Sequence, residues 1–209
     1  MLINKLIATF FLLISCAIEA GTLQGKVVGV ADGDSLTVLD SQKTQHKIRL
    51  QGIDAPEKAQ AFGQKSKQSL YRLAHNKQAT VEFQKKDKYG RTVGKVIING
   101  TDICLEQIKL GMAWHYKQFE SEQPKEDRIS YQQAELAAKA QALGIWKDQN
   151  PIPPWEFRKQ TKYLGLNNWG QININLINRR GIKAKGGSIN GVRSTLIFCD
   201  SQRSMRLVN

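Results

Sequence analysis

Hydrophobic and polar residues alternate repeatedly in the chain after residue 22, and this alternation predicts a run of short β-strands. Five segments have the period of two that a half-buried strand requires, namely residues 23–30, 35–39, 46–50, 80–83 and 92–98. Polar residues separate several of these segments, and Asn99-Gly100 after the last one is a strong turn signal. The pattern therefore predicts a β-rich domain.

Helical periodicity replaces the alternation between and after these strands. It covers residues 59–75, 103–110 and 126–143, and Gly144 follows the longest stretch where a C-cap glycine is expected. Five strands with helices between and after them predict an α+β fold that is mainly β. The expected architecture is a five-stranded barrel of the OB type with about three helices.

The first twenty residues have the pattern of an export signal. Lys5 precedes an apolar run at residues 6–14, which is too short to span a bilayer core of about 30 Å as a helix. We interpret residues 1–20 as a signal peptide whose removal frees a secreted or periplasmic protein. In the alternative, Leu13-Ile14-Ser15-Cys16 is a lipobox, and a lipidated Cys16 anchors a cell-envelope lipoprotein.

The remaining chain divides by composition into a domain at residues 21–158 and a basic, Asn- and Gly-rich extension at residues 159–209. The extension fits a tail, added strands or a partner-binding element equally well. Cys104 and Cys199 can pair in an oxidising compartment. The apolar surroundings of Cys104 favour a buried free thiol instead.

The charge of the chain narrows the class of partner. Lys and Arg number 31 against 18 Asp and Glu, which gives a formal net charge of +13. Such an excess favours nucleic acid, anionic lipid or acidic polysaccharide as the partner. A basic protein kept soluble by its charge is the alternative, and no Cys/His spacing indicates zinc.

Candidate chemistry lies in three short segments. These are Asp32-Gly33-Asp34, the stretch from Arg49 to Glu57, and Asp87-Lys88-Tyr89-Gly90-Arg91. Taken singly, they also fit a solvated turn, a salt bridge at a barrel edge and a charged hairpin. Together they supply hard oxygen ligands for a divalent cation, two guanidinium groups for a phosphate and a further carboxylate.

These segments, in this order, resemble the motifs of the staphylococcal nuclease (thermonuclease) family. The resemblance continues into Gly111-Met112-Ala113-Trp114-His115-Tyr116 and Leu143-Gly144-Ile145-Trp146, and it covers residues 23–146. It identifies residues 21–158 as a nuclease domain.

The resemblance also implies a role for each matching position. The metal-binding positions would be Asp34, Asp54, the backbone carbonyl of Ala55 and, through water, Asp32. The catalytic residues would be Arg49, Glu57 and Arg91, and the substrate-binding residues Lys88, Tyr89, Trp114 and Tyr116. Trp114 departs from the family, which has a tyrosine there, so it offers an indole face without a phenolic hydroxyl.

The function implied is that of an exported, calcium-dependent endonuclease. It would hydrolyse DNA and RNA as a monomer, with little sequence specificity, and leave 3′-phosphate ends. Two alternatives stay open: an envelope-anchored lipoprotein that serves as an interaction platform, and a non-catalytic OB-fold module that only binds nucleic acid.

Overall fold

The predicted strands close into a barrel in the computed structural model, which describes residues 21–164 and the side chains of residues 21–162. The barrel strands are β1 (Gly21–Val30), β2 (Ser35–Leu39), β3 (Gln45–Leu50), β5 (Gln78–Lys86) and β6 (Thr92–Ile98). Three two-residue strands complete the set: β4 (Ile53–Asp54), β7 (Thr101–Asp102) and β8 (Trp114–His115).

The barrel is a mixed sheet. Neighbouring strands pair antiparallel in the order β3-β2-β1-β5-β6, and a parallel pairing of β3 with β6 closes the circle. Its interior holds alternate strand residues with no exposed surface, including Val27, Val38, Ile48, Val81 and Val96. Burying each such side chain stabilises the fold by about 1.5–3 kcal/mol. The prediction of a five-stranded OB-type barrel is confirmed.

Within residues 21–164, four helices accompany the barrel: α1 (Gly63–Ala74), α2 (Ile103–Lys109), α3 (Lys125–Ala140) and α4 (Pro154–Leu164). Two 3₁₀ helices cover Lys117–Glu122 and Gly144–Lys147. Helix α1 begins at Gly63 rather than at the predicted residue 59, because Phe62 has a left-handed φ of 64° that a continuous helix excludes. Helix α3 ends at Ala140 rather than at the predicted residue 143, because Ala142 has a left-handed φ of 48° that a continuous helix excludes.

The C-terminal part of the described chain differs from the prediction. Helix α4 was not predicted, and it runs across residue 158, where the nuclease domain was expected to end. Gln60 donates a hydrogen bond from Nε2 to the carbonyl of Ile152, which ties the segment before α4 to the loop that precedes α1.

The predicted signal peptide, the lipobox with Cys16, Cys199 and most of the C-terminal extension lie outside the described residues. Cys104 is fully buried with a free thiol, and burial raises the pKa of that thiol. Among the described residues, no helix combines the length and the apolar character that a membrane crossing needs.

Candidate active site

The loop that joins β1 to β2 presents Asp32 and Asp34 at one end of the barrel. The Asp34 amide donates to Asp32 Oδ1 at 3.2 Å, and Gln107 of α2 donates from Nε2 to the Gly33 carbonyl at 2.8 Å. A Cβ at position 33 would lie 1.9 Å from Ser66 Oγ and 2.7 Å from the Ala55 Cβ. Glycine is therefore required, because the loop packs directly against α1 and the Ala55 segment.

Asp34, in the loop between β1 and β2, and Asp54, in β4, line the same pocket. Asp34 is 7% exposed and Asp54 is 1% exposed. The Ala55 amide donates to Asp34 Oδ2 at 2.8 Å, and the Ser35 hydroxyl donates to Asp34 Oδ1 at 3.0 Å. The Ala55 amide and the Ser35 hydroxyl thus hold the Asp34 carboxylate at the barrel rim.

Arg49, near the end of β3, bridges the two carboxylates. Its Nη2 lies 3.1 Å from Asp34 Oδ2 and 3.0 Å from Asp54 Oδ1, while its Nη1 donates to the Leu50 carbonyl at 2.8 Å. Burial opposes the charge of Arg49, but Asp34 and Asp54 raise its pKa. Arg49 therefore stays a guanidinium cation with a fixed orientation.

Arg91 lies at the end of the hairpin between β5 and β6. Its Nε donates to Asp87 Oδ2 at 2.7 Å, and its Nη1 donates to Ser35 Oγ at 3.2 Å. Because Ser35 in turn donates to Asp34, which forms an ion pair with Arg49, the arginines at positions 49 and 91 belong to one network of hydrogen bonds and ion pairs. Asp87 also accepts from the backbone amides of Tyr89 and Arg91, which fixes the turn.

Burial makes the ionised form of two carboxyl groups in the cluster, Asp32 and Asp54, less favourable, and this raises their pKa values. Burial and the charge of Asp34 raise the pKa of Asp32 to about 6. Burial likewise raises the pKa of Asp54, although Arg158 and Arg49 act in the opposite direction. A bound cation would relieve this repulsion.

The donor set fits calcium by its chemistry, because Asp32, Asp34, Asp54 and the Ala55 carbonyl are all hard oxygen ligands. Within residues 21–162, however, no group of three or more His, Cys, Asp or Glu side chains has the spacing of a metal site. At Asp54, guanidinium groups hydrogen-bond to both carboxylate oxygens. Metal binding therefore requires at least one of them to move.

The rim residues open into a cleft of about 660 Å³. It brings together every predicted site residue except Trp114: Asp32, Asp34, Arg49, Asp54, Ala55, Glu57, Lys88, Tyr89, Arg91 and Tyr116. The Tyr89 side chain is 72% exposed, whereas Asp54 is almost fully buried. The cleft thus combines a buried charged floor with accessible aromatic and basic groups at its edge.

Trp114 lies outside this cleft. Its backbone pairs with Asp54 in the β4–β8 ladder, but its side chain is 9% exposed and packs edge-to-face on Trp146 at 4.2 Å and Trp155 at 5.7 Å. It borders a separate cavity of about 270 Å³ instead. Tyr116 borders both spaces and stacks on Trp155, with 5.5 Å between the ring centroids.

Comparison with known proteins agrees with this geometry. The model of the family described as "Staphylococcal nuclease homologue" matches residues 47–148. An uncharacterized endonuclease of Haemophilus influenzae is 43% identical over 161 residues, which cover 77% of this chain and 86% of that protein. The protein belongs to the staphylococcal nuclease family.

Two further relatives extend the comparison. An uncharacterized endonuclease of Escherichia coli O157:H7 is 35% identical over 74% of this chain and 97% of its own length. The micrococcal nuclease of Shigella flexneri is 34% identical over 66% of this chain and 82% of its own length. Membership of the staphylococcal nuclease family confirms the prediction that the chain is a nuclease of the hydrolase class.

The sequence motifs do not indicate Arg158, a cleft residue that contacts the carboxylates and lies beyond the match to the staphylococcal nuclease family model. It projects from α4 and contacts both Asp54 and Glu57 at 2.8 Å. The helix itself has a sequence signal, since Pro154 stands at its first position and Glu156 in its first turn. No local pattern indicates that Arg158 meets Asp54.

Proposed function

We propose that the protein is an exported, calcium-dependent endonuclease that hydrolyses the phosphodiester bonds of DNA and RNA and leaves 3′-phosphate ends. One observation carries this proposal: a single network of ion pairs and hydrogen bonds joins Arg49 and Arg91 to the buried carboxylates of Asp34 and Asp54 at the floor of the cleft. This arrangement pairs anionic metal ligands with cationic phosphate ligands.

Asp34, Asp54 and the Ala55 carbonyl would hold the calcium ion directly, and Asp32 would hold it through water. When bound, calcium supplies positive charge beside the phosphate oxygens, where negative charge increases in the transition state. The backbone contacts of Asp34 keep its carboxylate in place, so little reorganisation of this group is needed at the moment of reaction.

Arg49 and Arg91 would bind the oxygens of the scissile phosphate. A planar guanidinium forms two parallel hydrogen bonds to a phosphate and stays charged at any physiological pH. The Leu50 carbonyl orients Arg49, and Asp87 orients Arg91. Both side chains are partly exposed, at 14% and 29%, so each combines a fixed orientation with access to the cleft.

Glu57 would orient the attacking water and accept its proton. Its side chain is 40% exposed and lines the cleft beside Asp54, so water can reach it. The water oxygen forms a bond to phosphorus as the bond from phosphorus to the 5′ oxygen breaks. The 5′ oxygen takes up a proton from solvent and leaves as a 5′-hydroxyl group. The phosphate remains on the 3′ oxygen. General-base assistance of this kind contributes about 10²- to 10⁴-fold in rate.

The edge of the cleft supports a broad substrate range. Tyr89 and Tyr116 offer aromatic side chains, and stacking on an aromatic ring is open to every base. Lys85, Lys86 and Lys88 line the same edge and would contact neighbouring phosphates, so binding should weaken as salt increases. Single strands and frayed ends should be cleaved faster than intact duplex, because their bases are free to stack on the protein.

The activity can be tested with the purified mature protein and heat-denatured DNA or RNA, with calcium or with a chelator. We expect calcium-dependent release of acid-soluble fragments whose 3′ ends become extendable by a polymerase only after phosphatase treatment. A Glu57→Gln variant should release far fewer fragments at the same protein concentration. Binding of the DNA without calcium-dependent cleavage would instead favour the non-catalytic binding module.

Export can be tested separately by mass spectrometry of the N-terminus of protein isolated from culture medium, periplasm and membranes. The proposal expects a soluble chain that begins close to residue 21. Recovery only from membranes, with a diacylglycerol group on Cys16, would favour the lipoprotein alternative.

A further inference from the structure

Arg158 extends from α4 into the cleft and forms three hydrogen bonds with carboxylates there. Its Nη2 donates to Asp54 Oδ2 at 2.8 Å, and its Nη1 donates to Asp54 Oδ1 at 3.2 Å and to Glu57 Oε1 at 2.8 Å. The guanidinium therefore spans the carboxylate proposed as a metal ligand and the carboxylate proposed as the general base.

These contacts compete directly with a metal ion. Asp54 is 1% exposed, and its Oδ1 accepts from both Arg49 and Arg158 while its Oδ2 accepts from Arg158. A cation that takes Asp54 as a ligand must approach one of these oxygens, and two cations at hydrogen-bond distance repel each other strongly. One guanidinium must therefore withdraw when the metal binds.

The two arginines differ in how firmly they are held. Arg49 has a 14% exposed side chain on a barrel strand and makes further contacts to Asp34 and the Leu50 carbonyl. Arg158 has a 43% exposed side chain on a peripheral helix, and its ion pairs in the described structure are those with Asp54 and Glu57. Withdrawal of Arg158 thus costs less than withdrawal of Arg49.

Helix α4 is anchored so that Arg158 faces the carboxylates. Trp155, which precedes Arg158 by three residues and so lies on the same face of the helix, stacks on Tyr116 and contacts Trp114 edge-to-face. The link from Gln60 to the Ile152 carbonyl holds the segment just before the helix. The position of Arg158 is therefore set by packing at the first turns of α4.

We propose that Arg158 acts as an internal cation that neutralises Asp54 and Glu57 in the metal-free enzyme and releases Asp54 when the divalent metal binds. The inference rests on the proposed function, because it takes Asp54 as a metal ligand. Its consequence is that Arg158 lowers the affinity of the wild-type enzyme for calcium.

Calcium titration calorimetry on the full mature protein tests this exchange. We expect Arg158→Gln to bind calcium about tenfold more tightly than wild type, since removing the competing charge leaves both Asp54 oxygens available. Lys159→Gln is the matched control, because it removes the same charge from the next residue of α4, which is 72% exposed and pairs only with Glu156 in the described structure. Its calcium affinity should stay within about twofold of wild type.

Thermal unfolding provides a second readout. In chelator, Arg158→Gln should unfold at a lower temperature than Lys159→Gln, because the carboxylates of Asp54 and Glu57 lose a partner. Saturating calcium should raise its Tm by more than it raises the wild-type Tm. If Arg158→Gln does not fold, Arg158→Lys replaces it in the test. The lysine keeps a positive charge but loses the two-pronged contact to Asp54, so its gain in calcium affinity over wild type should be smaller.

The outcomes separate this inference from the proposed function. If wild type binds calcium and Arg158→Gln binds it equally well or more weakly, the exchange is wrong while the calcium-dependent function stands. If wild type and all variants fail to bind calcium at millimolar concentration, both the metal assignment and the inference are overturned.

Discussion

The barrel rim and the outer edge of the cleft contribute to one site but are built differently. Asp34, Arg49 and Asp54 lie on the rim, are mostly buried, and are held by the backbone or by each other. Tyr89 and Arg158 lie on a hairpin tip and a peripheral helix, and their side chains are 72% and 43% exposed. Under the proposed function, the rim residues would carry out the chemistry, whereas the edge residues would control substrate access and affinity.

Arg49→Lys should have the largest effect, because it replaces a planar fork at the rim with a point charge. We expect kcat to fall at least about 100-fold, a loss of about 3 kcal/mol of transition-state stabilisation. Arg91→Lys should be impaired similarly. Steady-state kinetics on single-stranded DNA measures this, with circular dichroism to verify folding and the exposed Arg72→Lys as control. Near wild-type turnover in either variant would contradict the assigned roles.

Gly33→Ala should show how rigid the rim is. The new methyl group collides with Ser66 and Ala55, so we expect the free energy of unfolding to fall by about 2 kcal/mol and turnover to fall with it. Gly29→Ala is the matched control, because the nearest atoms to a Cβ there are 3.8 Å away. Urea unfolding compares the two variants. Equal stabilities would mean that the loop adapts and that the rim is not rigid.

Asp87→Ala tests the part of the edge that orients Arg91. Burial by itself would raise the pKa of Asp87, but hydrogen bonds from Arg91 hold that pKa below its usual value. The ionised carboxylate therefore stabilises the fold above pH 3.8, and this contribution is lost as the pH falls through the lowered pKa. We expect a deficit of about 1.5 kcal/mol at pH 7, from lost hydrogen bonds to a charged group.

Thermal unfolding of Asp87→Ala between pH 7 and pH 2.5 measures that deficit, which should shrink at the acid end. Asp148→Ala removes an exposed carboxylate that is outside the hairpin sequence and controls for net charge. A deficit that stays constant across this range would show that the charge of Asp87 is not what stabilises the turn.

Tyr89→Ala should have the smallest effect, confined to substrate affinity. Loss of one stacking surface should raise KM for single-stranded oligonucleotides about fivefold, or about 1 kcal/mol, and leave kcat and Tm unchanged. Tyr71→Ala, which removes a tyrosine that is 49% exposed and lies on α1, should leave KM unchanged. A drop in kcat for Tyr89→Ala would contradict this expectation and show that Tyr89 contributes to the chemical step, as the rim residues are proposed to do.

Local patterns predicted most of the fold because they report local physics. The period-two alternation in β1, β2, β3, β5 and β6 matches the barrel, since each strand buries one face in the same core. The start of α1 was wrong, because the left-handed Phe62 depends on packing of the preceding loop and not on helical propensity. Helix α4 was missed because its apolar residues are few and its stability depends on Trp155 packing against Tyr116.

The site divides in the same way. The motifs carry the residue types, and the structure brings all but one of the residues they predict to a single cleft. Trp114 is the exception, since β8 continues the rim while its indole turns into a cluster with Trp146 and Trp155. A large aromatic side chain on a short strand packs on the side where other residues cover it. For Trp114 those residues come from distant segments of the chain.

The sequence alone was enough to predict where the barrel strands lie along the chain, the family of the protein and the charged groups that the motifs supply to the cleft. The contact between Arg158 and Asp54, which are 104 residues apart, became evident in the folded structure alone. Strand period and motif spacing are local properties of a chain. The pairing of a buried carboxylate with a guanidinium depends instead on where the packing of α4 places that side chain.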